Sequence, residues 1–200
     1  MIALVDYGIG NLRSVQKALE RVGAAVTLTE APAEILAAEK VVLPGVGAFG
    51  DGMKGLAQRG LVEVLKTVVA RGTPLLGICV GMQVLFALSE EQGQHAGLGV
   101  LPGRVQRFMA PGLKVPQTGW NQIVPLRASP LFHALPAGAY AYFNHSYYCA
   151  AGPAETLAVT DYGGEFPSVV GRGRLYGIQF HPEKSQHVGL LLLQNFVERG

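Results

Sequence analysis

Three features of this 200-residue sequence predict an α/β fold: a mostly parallel twisted sheet flanked by helices, with an added antiparallel ribbon region. The first part of the chain alternates short apolar runs with helix-period segments, which implies parallel strands joined by right-handed crossovers. The run Pro74–Gln83 ends in Gly77-Ile78-Cys79-Val80-Gly81, the pattern of a tight strand-to-helix elbow with cysteine at its apex. From Leu98 to Gly177 helical periodicity gives way to short segments broken by Gly and Pro, which reads as ribbon and meander. No linker divides the chain, so residues 1–200 read as a single domain.

Ile2 to Tyr7 is a first strand, followed by the turn Gly8-Ile9-Gly10-Asn11. Leu12, Val15, Leu19 and Val22 then keep one helical face apolar until Gly23 stops it. Asn11 stands where a turn or helix N-cap residue would. A dinucleotide-binding turn is disfavoured, because no third glycine follows in register. Ala25–Thr29 is a second strand, Pro32–Ala38 a short helix and Lys40–Leu43 a third strand. That strand runs into Pro44-Gly45-Val46-Gly47, a loop whose glycines expose backbone N–H groups beside the elbow. Met53, Leu56, Leu61, Val64, Leu65 and Val68 trace amphipathic helix, broken near Gly60. After the elbow, helix is expected through Gln83 to about Ser89. In the second half the segments 104–109, 122–125, 139–142, 156–160 and 168–171 read as strands. Leu175–Phe180 returns to the buried sheet, and Gln186–Arg199 is the last helix.

Composition narrows the function classes. Hydrophobic residues make up 49% and charged residues 15%, and the net charge of +2 comes with no basic run. Nucleic-acid binding therefore has no electrostatic support. No apolar segment is long enough to span a membrane, and the N-terminus lacks a signal-peptide pattern. Two widely spaced cysteines give neither a zinc pattern nor a disulfide framework, so a cytoplasmic location and no metal or cofactor are expected.

The elbow exposes Cys79 at the carboxyl edge of a parallel sheet, where active sites of such folds lie. A thiol nucleophile needs a base and a group to orient it. His181 ends the last core strand on the same edge, and Glu183 two residues on can accept from its second ring nitrogen. Of the other histidines, His95, His133 and His187 read as solvated, while His145 has a possible pocket role. Cys79, His181, Glu183 and the 44–47 loop together point to a cysteine hydrolase or acyl transferase, with the loop supplying oxyanion donors. A cysteine peptidase and a non-catalytic binding module remain rival readings.

With Gly77–Gln83, His181-Pro182-Glu183 and Pro44–Gly47 in view, the whole chain resembles the class I glutamine amidotransferases. Asp6–Asn11, Pro116–Asn121 and His181–Ser185 resemble, within that family, the glutaminase subunits of imidazole glycerol phosphate synthases. The glutaminase subunits of pyridoxal phosphate synthases share the triad but not the Gln117–Asn121 stretch. The resemblance implies a Cys79–His181–Glu183 triad that hydrolyses glutamine, with oxyanion donors at Val80 and at Val46 or Gly47. It implies substrate contacts from Gln83 and the Ser146-Tyr147 backbone. It also implies a heterodimer with a (β/α)8-barrel cyclase that receives the ammonia, docked through Asn11, Trp120, Asn121 and Lys184. A peptide flip allowed by Gly45 and Gly47 is expected to hold the site silent until the partner is ready. Two positions depart from the subunits' pattern: Thr118 stands where methionine is expected, and Asn144 where an apolar residue is common.

Overall fold

The computed structural model describes residues 1–109 and 112–200. The first strands are β1 (Ile2–Val5), β2 (Val26–Thr29), β3 (Lys40–Gly45) and β4 (Leu75–Cys79). Between them lie α1 (Leu12–Arg21), α2 (Pro32–Ala37), α3 (Phe49–Gln58) and α4 (Leu61–Ala70). Gly60, in the left-handed region at φ 66°, separates α3 from α4 as the sequence predicts. The elbow leads into α5 (Val80–Gln83), then β5 (Phe86–Ser89), β6 (His95–Ala96) and β7 (Leu101–Arg107). Next come β8 (Gln117–Gln122), β9 (Val124–Pro125), β10 (Tyr140–His145) and β11 (Tyr147–Ala150). The chain ends with β12 (Thr156–Asp161), β13 (Glu165–Arg172), β14 (Leu175–Ile178) and α6 (Gln186–Arg199).

The main sheet has the order β2-β1-β3-β4-β14-β13-β12-β9. Its first five strands are parallel, and β13, β12 and β9 continue it antiparallel. The path from β1 to β2 and that from β2 to β3 run in opposite directions across the sheet. Right-handed crossovers therefore put α1 and α2 on opposite faces. The contacts agree: α1 packs on α6, and α2 and α3 pack on α4. Fully buried Leu4, Val42, Leu76 and Ile178 carry the apolar runs through the sheet interior.

Two smaller sheets stand beside it: the ribbon β10-β8, and a four-stranded sheet ordered β11-β7-β5-β6. Here the structure corrects two expectations. The helix after the elbow stops at Gln83 rather than continuing to Ser89, and residues 86–89 form β5. Phe86 and Ser89 are both buried there, and the segment pairs in parallel with β7, so tertiary pairing overrides the helical propensity of Ala87 and Leu88. The second half is thus not wholly antiparallel. Gln117–Gln122, which carries no strand pattern of its own, is β8. Among the described residues no helix is long and apolar enough to cross a membrane.

Candidate active site

Cys79 is the last residue of β4 and the N-cap of α5, with φ 55° and ψ −113°. A non-glycine residue in that region is strained, and such strain persists only where its surroundings enforce it. The enforcement comes from close backbone packing. A Cβ on Gly77 would lie 2.5 Å from the Gly81 carbonyl oxygen, and one on Gly81 would collide with the Leu43 carbonyl. Only glycine lets β4, β3 and α5 cross this tightly. Beneath the turn lies Tyr7, wholly buried, its hydroxyl unpaired among the described residues. Burial and the neighbouring Cys79 charge both push that phenol upward.

His181 and Glu183 meet at this edge. His181 Nδ1 lies 3.0 Å from Glu183 Oε1, with the two side chains 4% and 1% exposed. The reach comes from a 3-10 turn over Pro182–Lys184 rather than from extended backbone. With Nδ1 engaged, Nε2 is left for Cys79. Burial works against charge on His181, but hydrogen bonds to Cys79 and Glu183 outweigh it and raise the group to about 10. The ring is therefore held as an imidazolium at neutral pH, beside a sulfur that accepts from it.

Cys79 and His181 open into a cavity of about 240 Å³. That is below the roughly 300–1,000 Å³ of sites for drug-sized ligands, and suits an occupant the size of an amino acid. Val46, Gly47, Val80, Gln83, Ser146 and Tyr147 line it, so the structure brings the expected donor and substrate residues together around the thiol. The N–H of Val80, in the first turn of α5, has no intrahelical partner. Gly47 has φ 93°, and its N–H donates to nothing among the described residues. Gly45 is different from the expectation: it is buried in β3 opposite Cys79, so the loop's conformational freedom rests on Gly47 alone. The Ser146 carbonyl accepts from Phe108 N–H, and the Tyr147 carbonyl accepts from Gln83 and His145. Those carbonyls are thus taken, whereas the Ser146 N–H has no acceptor among the described residues.

Of two further polar residues at the cavity, Glu91 escapes the sequence reading, while His145 takes the pocket role that reading leaves possible for it. Glu91 lines the cavity and accepts from the Phe49 N–H at 2.7 Å, capping the helix that follows the Gly47 loop. No local pattern marks Glu91, because its role depends on a loop folding back onto α3. His145, buried among the Phe108, Phe143 and Phe166 rings, bonds to the Tyr147 carbonyl and to Gln117. Burial drives it down to about 4, despite the Tyr147 bond and helped by the His181 charge, so it is neutral. His133 and His187 are exposed and His95 is half-buried, and none of the three lines the cavity.

A family model described as glutamine amidotransferase class-I matches residues 3–199. The chain belongs to the class I glutamine amidotransferases. It is 54% identical over 198 residues to the imidazole glycerol phosphate synthase subunit HisH of Moorella thermoacetica, covering 98% of this chain and 94% of that one. The subunit of the same name from Symbiobacterium thermophilum is 53% identical, with 98% and 92% covered. Among solved structures, one described as a glutamine amidotransferase superposes with TM-score 0.75 at 20% identity, covering 97% of this chain and 99% of the other. PurLQS from Thermotoga maritima gives 0.74 at 19%, covering 98% and 96%. At that identity the structural neighbours establish the shared fold.

Of the remaining expected residues of this amidotransferase, Lys184 lines the cavity, and Trp120, Asn121 and Asn11 lie outside its lining. Trp120 is 48% exposed and stands edge-on to Tyr142, over whose ring Lys184 Nζ sits 5.6 Å from the centroid. Asn121 uses both ends of its amide inside the chain, donating to Asp161 O and accepting from Gln122 N–H. Asn11 is half-buried at the N-cap of α1, and its side chain makes no capping bond. The two departures from the subunit pattern face each other: Thr118 and Asn144 are cross-strand partners in β8 and β10, and Thr118 Oγ1 donates to Asn144 Oδ1 at 3.2 Å. Both residues are exposed, so the pair forms a polar contact on the open face of the ribbon.

Proposed function

We propose that this chain is the glutamine-hydrolysing subunit of an imidazole glycerol phosphate synthase, with Cys79, His181 and Glu183 as its triad. The observation that carries the chemistry is the buried His181–Glu183 pair at 3.0 Å beside the elbow thiol. Identity above 50% to the HisH subunits over nearly the full chain supports the choice of synthase. One continuous buried core supports residues 1–200 acting as one domain.

Glutamine enters with its α-carboxylate toward the Ser146 N–H and its α-ammonium toward Glu91 and the free Gln83 oxygen. The Cys79 thiolate attacks the side-chain amide carbon. The resulting oxyanion is held by the Val80 N–H and by the N–H of Gly47 or Val46, donors that gain most when charge develops. The His181 imidazolium, oriented by Glu183, gives its Nε2 proton to the departing ammonia. Now neutral, it takes a proton from water, which attacks the thioester and releases glutamate. The ammonia passes to a (β/α)8-barrel cyclase docked around Trp120 and Lys184. That partner makes imidazole glycerol phosphate and an aminoimidazole carboxamide ribonucleotide. Two unbridged thiols fit work in a reducing cytoplasm.

The test is glutamate formation with and without the cyclase, paired with iodoacetamide labelling. The reading expects glutaminase stimulated by the cyclase and labelling at Cys79 that glutamine prevents. Cys149 has no exposed surface, and burial followed by the Cys79 charge pushes its thiol well up, so it stays unlabelled. No glutamate with the cyclase present, in a chain whose Cys79 also resists iodoacetamide, would refute the reading.

A further inference from the structure

A directed chain of hydrogen bonds runs through the wall of the cavity and ends on the nucleophile. Its direction is set by the Tyr147 carbonyl, which can only accept. That oxygen receives His145 Nδ1 at 2.7 Å and Gln83 Nε2 at 3.2 Å. The neutral His145 therefore carries its proton on Nδ1, the Gln117 side-chain amide 2.8 Å from its Nε2 must turn its NH2 to that nitrogen, and Gln83 must present its NH2 group inward. The same NH2 group lies 3.2 Å from the side chain of Gln179, where only the carbonyl oxygen of that amide can receive it. The other end of the Gln179 amide, Nε2, is then fixed toward Cys79 Sγ, 3.8 Å away. Turning the amide over would set two NH2 groups against each other and an oxygen against the sulfur.

We propose that Gln179 is a positioning residue for glutamine hydrolysis: its Nε2–H holds the Cys79 sulfur as a thiolate aimed into the cavity, with the polarity of that bond imposed by the Tyr147 carbonyl. This rests on the glutaminase reading. Gln179 is wholly buried and Cys79 is 4% exposed, so little bulk water is available to solvate the sulfur's charge. A donor there is worth more than the same bond in water, because bonds to a charged acceptor are the strong ones. The chain also explains why a polar side chain is buried just past the end of β14. Gln179 precedes His181 by two residues, so both side chains leave the end of β14 on the side of the elbow, one as a fixed donor and one as the proton carrier. His181 must give up its proton in each cycle, whereas an amide cannot, so the sulfur keeps one donor throughout.

The test is the pH profile of Cys79 alkylation by iodoacetamide, in wild type and in Gln179→Met and Gln179→Glu. Methionine keeps the bulk without a donor, and glutamate keeps the shape with the wrong charge. The midpoint of the profile is expected to rise by about one pH unit in Gln179→Met and further in Gln179→Glu. With the cyclase present, kcat/KM for glutamine is expected to fall at least about tenfold. A folded Gln179→Met whose midpoint stays within about 0.2 unit of wild type would overturn the proposal. Should both variants unfold, nuclear magnetic resonance of the wild type decides: the Gln179 side-chain amide signal must titrate with the alkylation midpoint, and a signal that stays still overturns it. Alkylation needs neither glutamine nor partner. A wild-type chain that makes no glutamate therefore fails the glutaminase reading alone, and an active one with an unmoved midpoint fails only the role of Gln179.

Discussion

His145 and His181 share one cavity, yet their surroundings drive them in opposite directions, and so do their effects on stability with pH. His181 is raised to about 10 by Cys79 and Glu183 against the pull of burial. A raised histidine stabilises the fold fully below its unfolded value of about 6.5, and that contribution fades as pH climbs through the folded value. His145 is lowered to about 4, chiefly by burial among aromatic rings. The unfolded chain binds a proton at about pH 6.5 that the folded chain refuses until about pH 4, so stability drains away across that window as pH falls. The shift corresponds to about 3 kcal/mol, a large share of a typical domain's stability. The melting temperature should therefore drop steeply between pH 6.5 and 4.5. His145→Gln, which keeps a donor toward the Tyr147 carbonyl without a titrating ring, should flatten that limb while lowering the value at pH 7. An acid limb as steep in the variant as in wild type would show that the His145 assignment is mistaken.

Elements differ in how openly the sequence declares them. The elbow is legible because its requirement is local: Gly77 and Gly81 leave room for backbone that a Cβ would obstruct, and this fixes the spacing around Cys79. The His181–Glu183 pair is legible because it too is close in sequence. β5 is not legible, since only pairing with β7 turns Phe86–Ser89 away from helix. Nor is Glu91, whose position depends on a distant helix start. Gln179 was within reach of the same two-residue alternation that related Glu183 to His181, and only the absence of a chemical role for a buried amide hid it. The Gly47 loop lies between these cases. Its two glycines announce a special backbone, but the structure alone shows that Gly45 is locked in β3 while Gly47 sits at φ 93° with open space where a Cβ would go. Proline cannot adopt that angle, since its ring holds φ near −65°. Gly47→Pro should consequently rebuild the loop without touching the core: melting within a few degrees of wild type, and cyclase-stimulated glutaminase reduced at least about a hundredfold, as for loss of an oxyanion donor. Stimulated activity within about threefold of wild type would exclude Gly47 as donor and as switch.

On the scale of the whole molecule, the ribbon β10-β8 joins the cavity to the face on which a partner would sit. Its inner side is fastened to His181: the His181 N–H donates to Tyr142 O at 2.9 Å, and Ser185 Oγ accepts from Tyr142 N–H while donating to His181 O at 2.6 Å. Its outer side presents Trp120, nearly half exposed, against Tyr142 and within the same surface as Lys184. A large aromatic left this open, with a cation and a second aromatic beside it, has the composition of an interface anchor rather than of solvent-facing surface. The strand that holds the backbone of His181 is thus the strand whose neighbour carries the exposed Trp120. Seating the cyclase on Trp120 would then load the ribbon that sets the position of His181. Two consequences separate docking from catalysis. Trp120→Ala should weaken cyclase binding by about thirtyfold, the loss expected for one buried aromatic anchor of about 2 kcal/mol. It should also leave iodoacetamide labelling of Cys79 in the isolated chain unchanged, because the triad and its supporting bonds do not include the indole. At saturating cyclase the stimulated rate should return toward wild type if the indole only anchors, and stay low if it also transmits strain through Tyr142 to His181. Titrating the variant with cyclase while following glutamate release reads both quantities, and unchanged affinity would remove Trp120 from the interface.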